Sequence, residues 1–133
     1  MRADTKSIFI QASPGKVHEF LASPQNLPRW AVGFAKSVRN ERGKWLVTTE
    51  GGEMVIRIGA DPQLGVVDYF MSPSPGVEVA ARSRVVPNGS GTEYSFTQFQ
   101  APGMHDEVFE KSVRAVEHEL TVLRALLEIE CPL

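Results

Sequence analysis

The chain has 133 residues, 42% of them apolar and 23% charged, which suits one domain with one core and excludes a disordered tail, a collagen-like fibre and a long coiled coil. Lys and Arg number 14 against 16 Asp and Glu, a formal charge of −2, so no strong field exists to hold phosphate backbones or anionic lipid and nucleic acid is not an expected partner. The single cysteine, Cys131, cannot form an internal disulfide, Met1 to Lys6 lack the apolar stretch of a signal peptide, and no apolar run nears the roughly 18 residues of a membrane span. The expectation is one domain over residues 1–133, cytoplasmic and without integral membrane association.

In chain order, Thr5 to Gln11 reads as a strand, with Ile8 and Ile10 on one face at period two. Ser13-Pro14-Gly15 then starts a helix: Ser13 can cap it and Pro14 suits its first position, where a missing N–H is no loss. Val17, Phe20 and Leu21 give that short helix an apolar face. Ser23-Pro24 repeats the start signal for a second short helix that carries Leu27 and ends near Trp30.

Six strands follow: 34–41, 44–50, 53–60, 64–72, 77–86 and 92–100. Turn chemistry separates them at Arg42-Gly43, Gly51-Gly52, Asp61-Pro62, Pro73-Ser74-Pro75-Gly76 and Pro87 to Gly91. Such short connections favour an antiparallel meander. Arg57 and Asp68 among apolar neighbours give the sheet one wet face. Pro102-Gly103 opens a last helix that runs to Glu130, about 27 residues or near 40 Å. Its stripe is Phe109, Val113, Val116, Leu120, Leu123 and Leu127, and Asp106 and Glu107 suit its positive end. A helix of that length must lie across the whole sheet. The fold class is α+β: strand, two short helices, six strands, long helix.

Several chemistries find no support. His118-Glu119 and His18-Glu19 begin like a zinc-binding HExxH, but the second histidine is replaced by Val122 and Ala22, so no metal site is expected. Gly51-Gly52 and Gly89-Ser90-Gly91 join strands rather than opening helices, so no phosphate loop is expected, and no Gly-x-Ser-x-Gly elbow exists. No cofactor is expected.

The segment Ala12-Ser13-Pro14-x-x-Val17-x-x-Phe20-Leu21, then Leu27-x-x-Trp30, a meander and a long helix resembles the START-like, Bet v 1-like (SRPBCC) superfamily. Phe96-x-x-Phe99-Gln100-Ala101-Pro102-Gly103-Met104, followed by Leu120-x-x-Leu123-x-x-x-Leu127-Glu128, is similar to its bacterial polyketide cyclase/dehydrase-like members. The resemblance covers nearly the whole chain. It implies the helix-grip fold, a seven-stranded antiparallel sheet curved around a long C-terminal helix, with two short helices after strand 1 and a cavity between sheet and helix. It also implies a hydrophobic small molecule in that cavity; a fold alone narrows function only to that class.

Strand alternation selects the expected lining. Met54 and Ile56 share a face, as do Tyr69 and Met71, and Tyr94, Phe96 and Gln98; Trp45 faces inward with Val47. Trp30 and Phe34 are expected at the mouth, and Met104, Val108, Phe109 and Val113 on the first half of the long helix. Tyr69, Tyr94, Gln98 and His105 are the polar candidates for orienting a ligand, whereas Arg57 and Arg82 fall out of phase and read as solvated. His105 with Tyr69 or Tyr94 is the candidate acid/base set. Three uses stay open. The first is binding of a small apolar or aromatic, lipid- or polyketide-like ligand. The second is a cyclase- or dehydrase-type enzyme. The third is an interaction module with Trp30, Phe34 and the Pro73–Gly76 loop exposed, or a homodimer formed through a strand edge or helix flank.

Overall fold

The computed structural model describes residues 1–133. Strand β1 (Ala3–Ile10) leads to α1 (Pro14–Leu21), a 3-10 turn (Pro24–Asn26) and α2 (Leu27–Trp30). The meander is β2 (Ser37–Glu41), β3 (Lys44–Thr49), β4 (Gly52–Asp61), β5 (Val66–Ser74), β6 (Val77–Asn88) and β7 (Gly91–Phe99), and α3 (Asp106–Glu130) closes the chain. All seven strands form one antiparallel sheet in the order β1-β7-β6-β5-β4-β3-β2. The two short helices therefore carry the chain from one edge of the sheet to the other. This is the expected helix-grip arrangement.

Two boundaries shift for local reasons. The strand expected from Phe34 starts at Ser37, because the N–H groups of Phe34 and Ala35 both turn back to Ala31 O at 2.9 and 2.8 Å. The last helix starts at Asp106, not at Pro102. Gly103 takes a left-handed φ of 83°, the Met104 N–H closes a turn onto Ala101 O at 3.0 Å, and Gln100 Nε2 donates to both Met104 O and Asp106 Oδ1 at 2.8 Å. His105 is thus the residue before the first helical turn, and its carbonyl accepts the Val108 and Phe109 N–H groups. At α1 the Ser13 hydroxyl accepts the Lys16 N–H, as its position before Pro14 predicts.

Register places the inward row of each strand. Tyr69 of β5 stands between Ile58 of β4 and Ala81 of β6; Tyr94 of β7 stands between Ile8 of β1 and Val85 of β6. Side chain to backbone bonds dock α1 on this face. His18 Nε2 donates to Val66 O at 3.0 Å, Tyr69 Oη to Leu21 O at 3.0 Å, and Thr92 Oγ1 to Ala12 O at 2.8 Å. The opposite face is wet, as expected: Arg57 and Arg82 stack on Phe70, and Asp68 accepts from Arg82, Arg84 and the Ser83 N–H. Desolvation opposes the charge on Asp68, but the bonds from Arg84, Arg82 and Ser83 outweigh it and hold the carboxyl below its usual range.

Gly65 pins the start of the β5–β6 pair. Its φ is 70°, its carbonyl accepts the Val85 N–H at 2.8 Å, and a Cβ there would meet Val85 O at 2.1 Å. Gly65→Ala is expected to cost about 3 kcal/mol in urea unfolding, combining left-handed strain with displaced backbone. Gly15→Ala, where nothing lies within 4 Å of the new atom, should stabilise by about 0.5 kcal/mol. Equal effects at the two sites would sink this account.

Candidate functional site: an apolar cavity beneath the long helix

The two halves of α3 do different work. Leu120, Leu123 and Leu127 are buried in the main core with Ile10, Val17, Leu21 and Leu27. α3 lies along β1, from Arg2 beside Asp106 and Glu110 to the Gln11 N–H on Glu128, and Arg29 of α2 pairs with Glu130 at its end; its earlier half presents the small side chains of Ser112 and Ala115, with Val116 and Glu119 beside them. A cavity of about 500 Å³ lies below. Its floor is Met54 and Ile56 of β4, Tyr69 and Met71 of β5, Val79 and Ala81 of β6, and Phe96 and Gln98 of β7. Leu27, Trp30, Ala31, Gly33 and Phe34 form an end wall, and the exposed Pro73 and Val77 lie at the solvent edge with Met104. Of 23 lining residues 18 are apolar, so burial of apolar surface would dominate any binding and a few polar groups would orient it.

An aromatic cluster sets the inner end. The Tyr69 ring lies 6.4 Å from Trp30 and 6.3 Å from Phe96, tilted 53° and 45°, within the range of favourable aromatic pairs. Burial pushes the Tyr69 hydroxyl well above the ordinary phenol range, and its proton is held on Leu21 O. Behind it, outside the cavity wall, Tyr94 is fully buried and its hydroxyl has no hydrogen-bond partner, with Ser83 and Tyr69 nearby. Burial raises that hydroxyl too.

Glu119 is the group that sequence reasoning missed. It is 4% exposed and lines the cavity, and Oε2 accepts the Gly33 N–H at 2.9 Å. No side chain donates to it and no cation pairs with it. Desolvation pushes its pKa up to about 7, against the lowering effect of the Gly33 and Phe34 N–H groups. The approach is close: a Cβ at position 33 would sit 3.2 Å from both Ala115 Cβ and Glu119 Oε2, so α3 would have to give by a few tenths of an ångström. The signal was present: Glu119 falls in phase with Val116, Leu120 and Leu123, and a carboxyl on a core stripe is a buried polar group.

The expected residues divide. Trp30, Phe34, Met54, Ile56, Tyr69, Met71, Phe96, Gln98 and Met104 all line the cavity. Trp30 is 3% exposed, so it belongs to the end wall, not to a mouth or an exposed contact surface, and Phe34 is only partly exposed. Trp45 packs on the core from β3, beyond the β4–β7 floor. Phe109 and Val113 do not line the cavity, and neither does the exposed Val108, because the inward row is Ser112, Ala115, Val116 and Glu119. Phe109 is buried instead beneath the Arg2 guanidinium, 5.0 Å from its ring centroid, and Val113 is half-buried. His105 is exposed and outside the cavity, so His105, Tyr69 and Tyr94 do not meet as one acid/base set: only Tyr69 reaches the wall.

Residues 1–128 match the family of polyketide cyclase / dehydrase and lipid transport proteins. The chain belongs to this family. Among solved structures, XoxI of Bacillus cereus is 18% identical, with a TM-score of 0.76 over 98% of this chain and 99% of that one. One START superfamily protein of Mycobacterium smegmatis is 15% identical, with a TM-score of 0.71 over 95% and 97%. The di-domain ARO/CYC BexL of the BE-7585A biosynthetic pathway is 19% identical, with a TM-score of 0.74 over 98% of this chain and 48% of BexL. At these identities the likeness is one of fold. No curated protein matches the sequence. No helix of this family member is long and apolar enough to cross a membrane.

The folded state of this family member holds the Glu119 proton more tightly than an unfolded chain does, where the pKa is near 4.5. That contribution to stability is complete at low pH, declines as the pH rises from about 4.5 to about 7, and is absent above. Glu119→Gln keeps an acceptor for the Gly33 N–H and cannot ionise. Its stability relative to wild type should therefore rise between pH 5 and pH 8 by on the order of 2–3 kcal/mol. Parallel stability profiles in urea would show that Glu119 does not hold a proton in the fold.

Proposed function

We propose that this protein binds a small, mostly apolar and partly aromatic ligand in the cavity between α3 and the β4–β7 floor. The observation that carries this reading is the cavity itself. About 500 Å³ is walled almost entirely by apolar and aromatic side chains, in a protein whose α3 closes a solid core only along its C-terminal half. A space of this size falls within the usual range for small-molecule sites. Met54, Met71 and Met104 give it walls that adapt to a ligand's shape. Family membership supports the same class, since the family includes lipid transport as well as cyclase and dehydrase members. Binding is favoured over a cyclase-type reaction because Tyr69 is the one expected acid/base residue on the wall and its hydroxyl is already bonded to Leu21 O.

Titration with the neutral fluorophore N-phenyl-1-naphthylamine tests this reading. Wild type should give a saturable rise in emission at one site per chain. Ala81, 5% exposed on the cavity floor, stands opposite Tyr69. Ala81→Phe should fill the space and weaken binding by at least about tenfold, whereas Arg57→Ala on the wet face should leave it unchanged. Absent saturation, or equal binding by the Ala81→Phe variant, would overturn the assignment.

A further inference from the structure

Two ionisable side chains stand on the cavity wall, Tyr69 and Glu119, and only one is free to act on a ligand. The Tyr69 hydroxyl is bonded to Leu21 O. Gln98, the wall's amide, points its Nε2 toward Ser112 O at 3.5 Å. Glu119 is oriented by the end wall, since the Gly33 N–H holds Oε2 at 2.9 Å and no side chain takes up the rest of the carboxyl group. We propose that Glu119 is the anchoring and specificity-determining residue of this cavity, and that its protonated carboxyl donates a hydrogen bond to the carbonyl oxygen of a neutral, otherwise apolar ligand. This rests on the cavity being a ligand site and adds which ligand chemistry it selects.

The surroundings favour a neutral oxygen over a charged group. From α2, Arg29 turns away to pair with Glu130; from the loop before β2, Lys36 is exposed. On α3, Glu117 and His118 are exposed. From β1, Asp4 and Lys6 pair with each other at 3.1 Å outside the cavity wall, and β4, β6 and β7 bring no ionisable side chain to it. No second charge is available to help bury an ion, and an isolated ion in such a wall is costly. A ketone or quinone-like carbonyl enters at little cost and gains a donor. The Gly33 N–H on one carboxyl oxygen leaves the other to carry the proton, so the acid accepts from the backbone and donates to the ligand.

Matched naphthalenes test this by equilibrium titration: 2-acetonaphthone, its alkene counterpart 2-isopropenylnaphthalene, and the cation 1-(2-naphthyl)ethylamine. At pH 6, wild type should prefer the ketone over the alkene by about tenfold, one good hydrogen bond in an apolar site. That preference should vanish at pH 8.5, where the carboxyl has lost its proton. Glu119→Gln should keep the preference at both pH values, because its amide also donates, and Glu119→Met should lose it at both. If Glu119→Met does not fold, the contrast between wild type and Glu119→Gln across pH decides. Equal binding of ketone and alkene by wild type at pH 6 overturns the anchor while leaving the cavity reading intact. Tightest binding of the amine at pH 8.5, lost in Glu119→Gln, overturns the neutral carbonyl in favour of a cation. If none of the three naphthalenes saturates wild type, the cavity reading is overturned and this one with it.

Discussion

The contact between Gly33 and Glu119 governs the shape of the site. A backbone N–H from the loop after α2 meets a carboxyl on α3 at 2.9 Å, and the absence of a side chain at Gly33 lets the two approach without displacing Ala115 or Glu119. This contact fixes how α3 lies against the end wall. With the helix held there and along β1, its N-terminal half stands off from the middle of the sheet, and the cavity is the space that remains. The same approach buries Glu119 and makes its proton persist to neutral pH.

Polar satisfaction elsewhere explains why the hollow can be tolerated. The α1 segment is locked to the sheet through His18, Tyr69 and Thr92, each bonded to a backbone carbonyl, so the end of the molecule away from the cavity is rigid without relying on packing over the floor. The buried side-chain atoms without a partner are Tyr94 Oη and Asp4 Oδ1. The unpartnered Tyr94 hydroxyl carries a cost of roughly 1–3 kcal/mol, a local weakness behind the cavity floor. The outer face has no such conflict: Arg57, Arg82 and Arg84 share Phe70 and Asp68 between stacking and ion pairing.

The element order and the inward rows of β4, β5 and β7 were legible because period-two alternation and turn residues are local signals. Met54, Ile56, Tyr69, Met71, Phe96 and Gln98 follow from them directly. The α3 lining was not legible to the same depth. A helix stripe shows which broad face is buried, but the face toward the cavity is displaced by one residue from the face toward the core. The stripe therefore points to Phe109 and Val113, whereas Ser112 and Ala115 line the cavity. His105 stands apart from Tyr69 for a related reason: its nearness in sequence points to the cavity edge, and after the left-handed Gly103 turn it is exposed and outside the lining.

By itself the sequence determined an antiparallel meander closed by one long amphipathic helix, with near-neutral charge and enough apolar content for a core, since each depends on neighbours a few residues apart. The resemblance to the START-like group extended that to a cavity. Only the tertiary structure decided which polar group faces the hollow. Glu119 lies 86 positions from Gly33, and nothing local to either residue reports their contact. Burial and proton affinity arise from where distant segments meet, so the cavity's polar group appears only once the helix is seated on the loop.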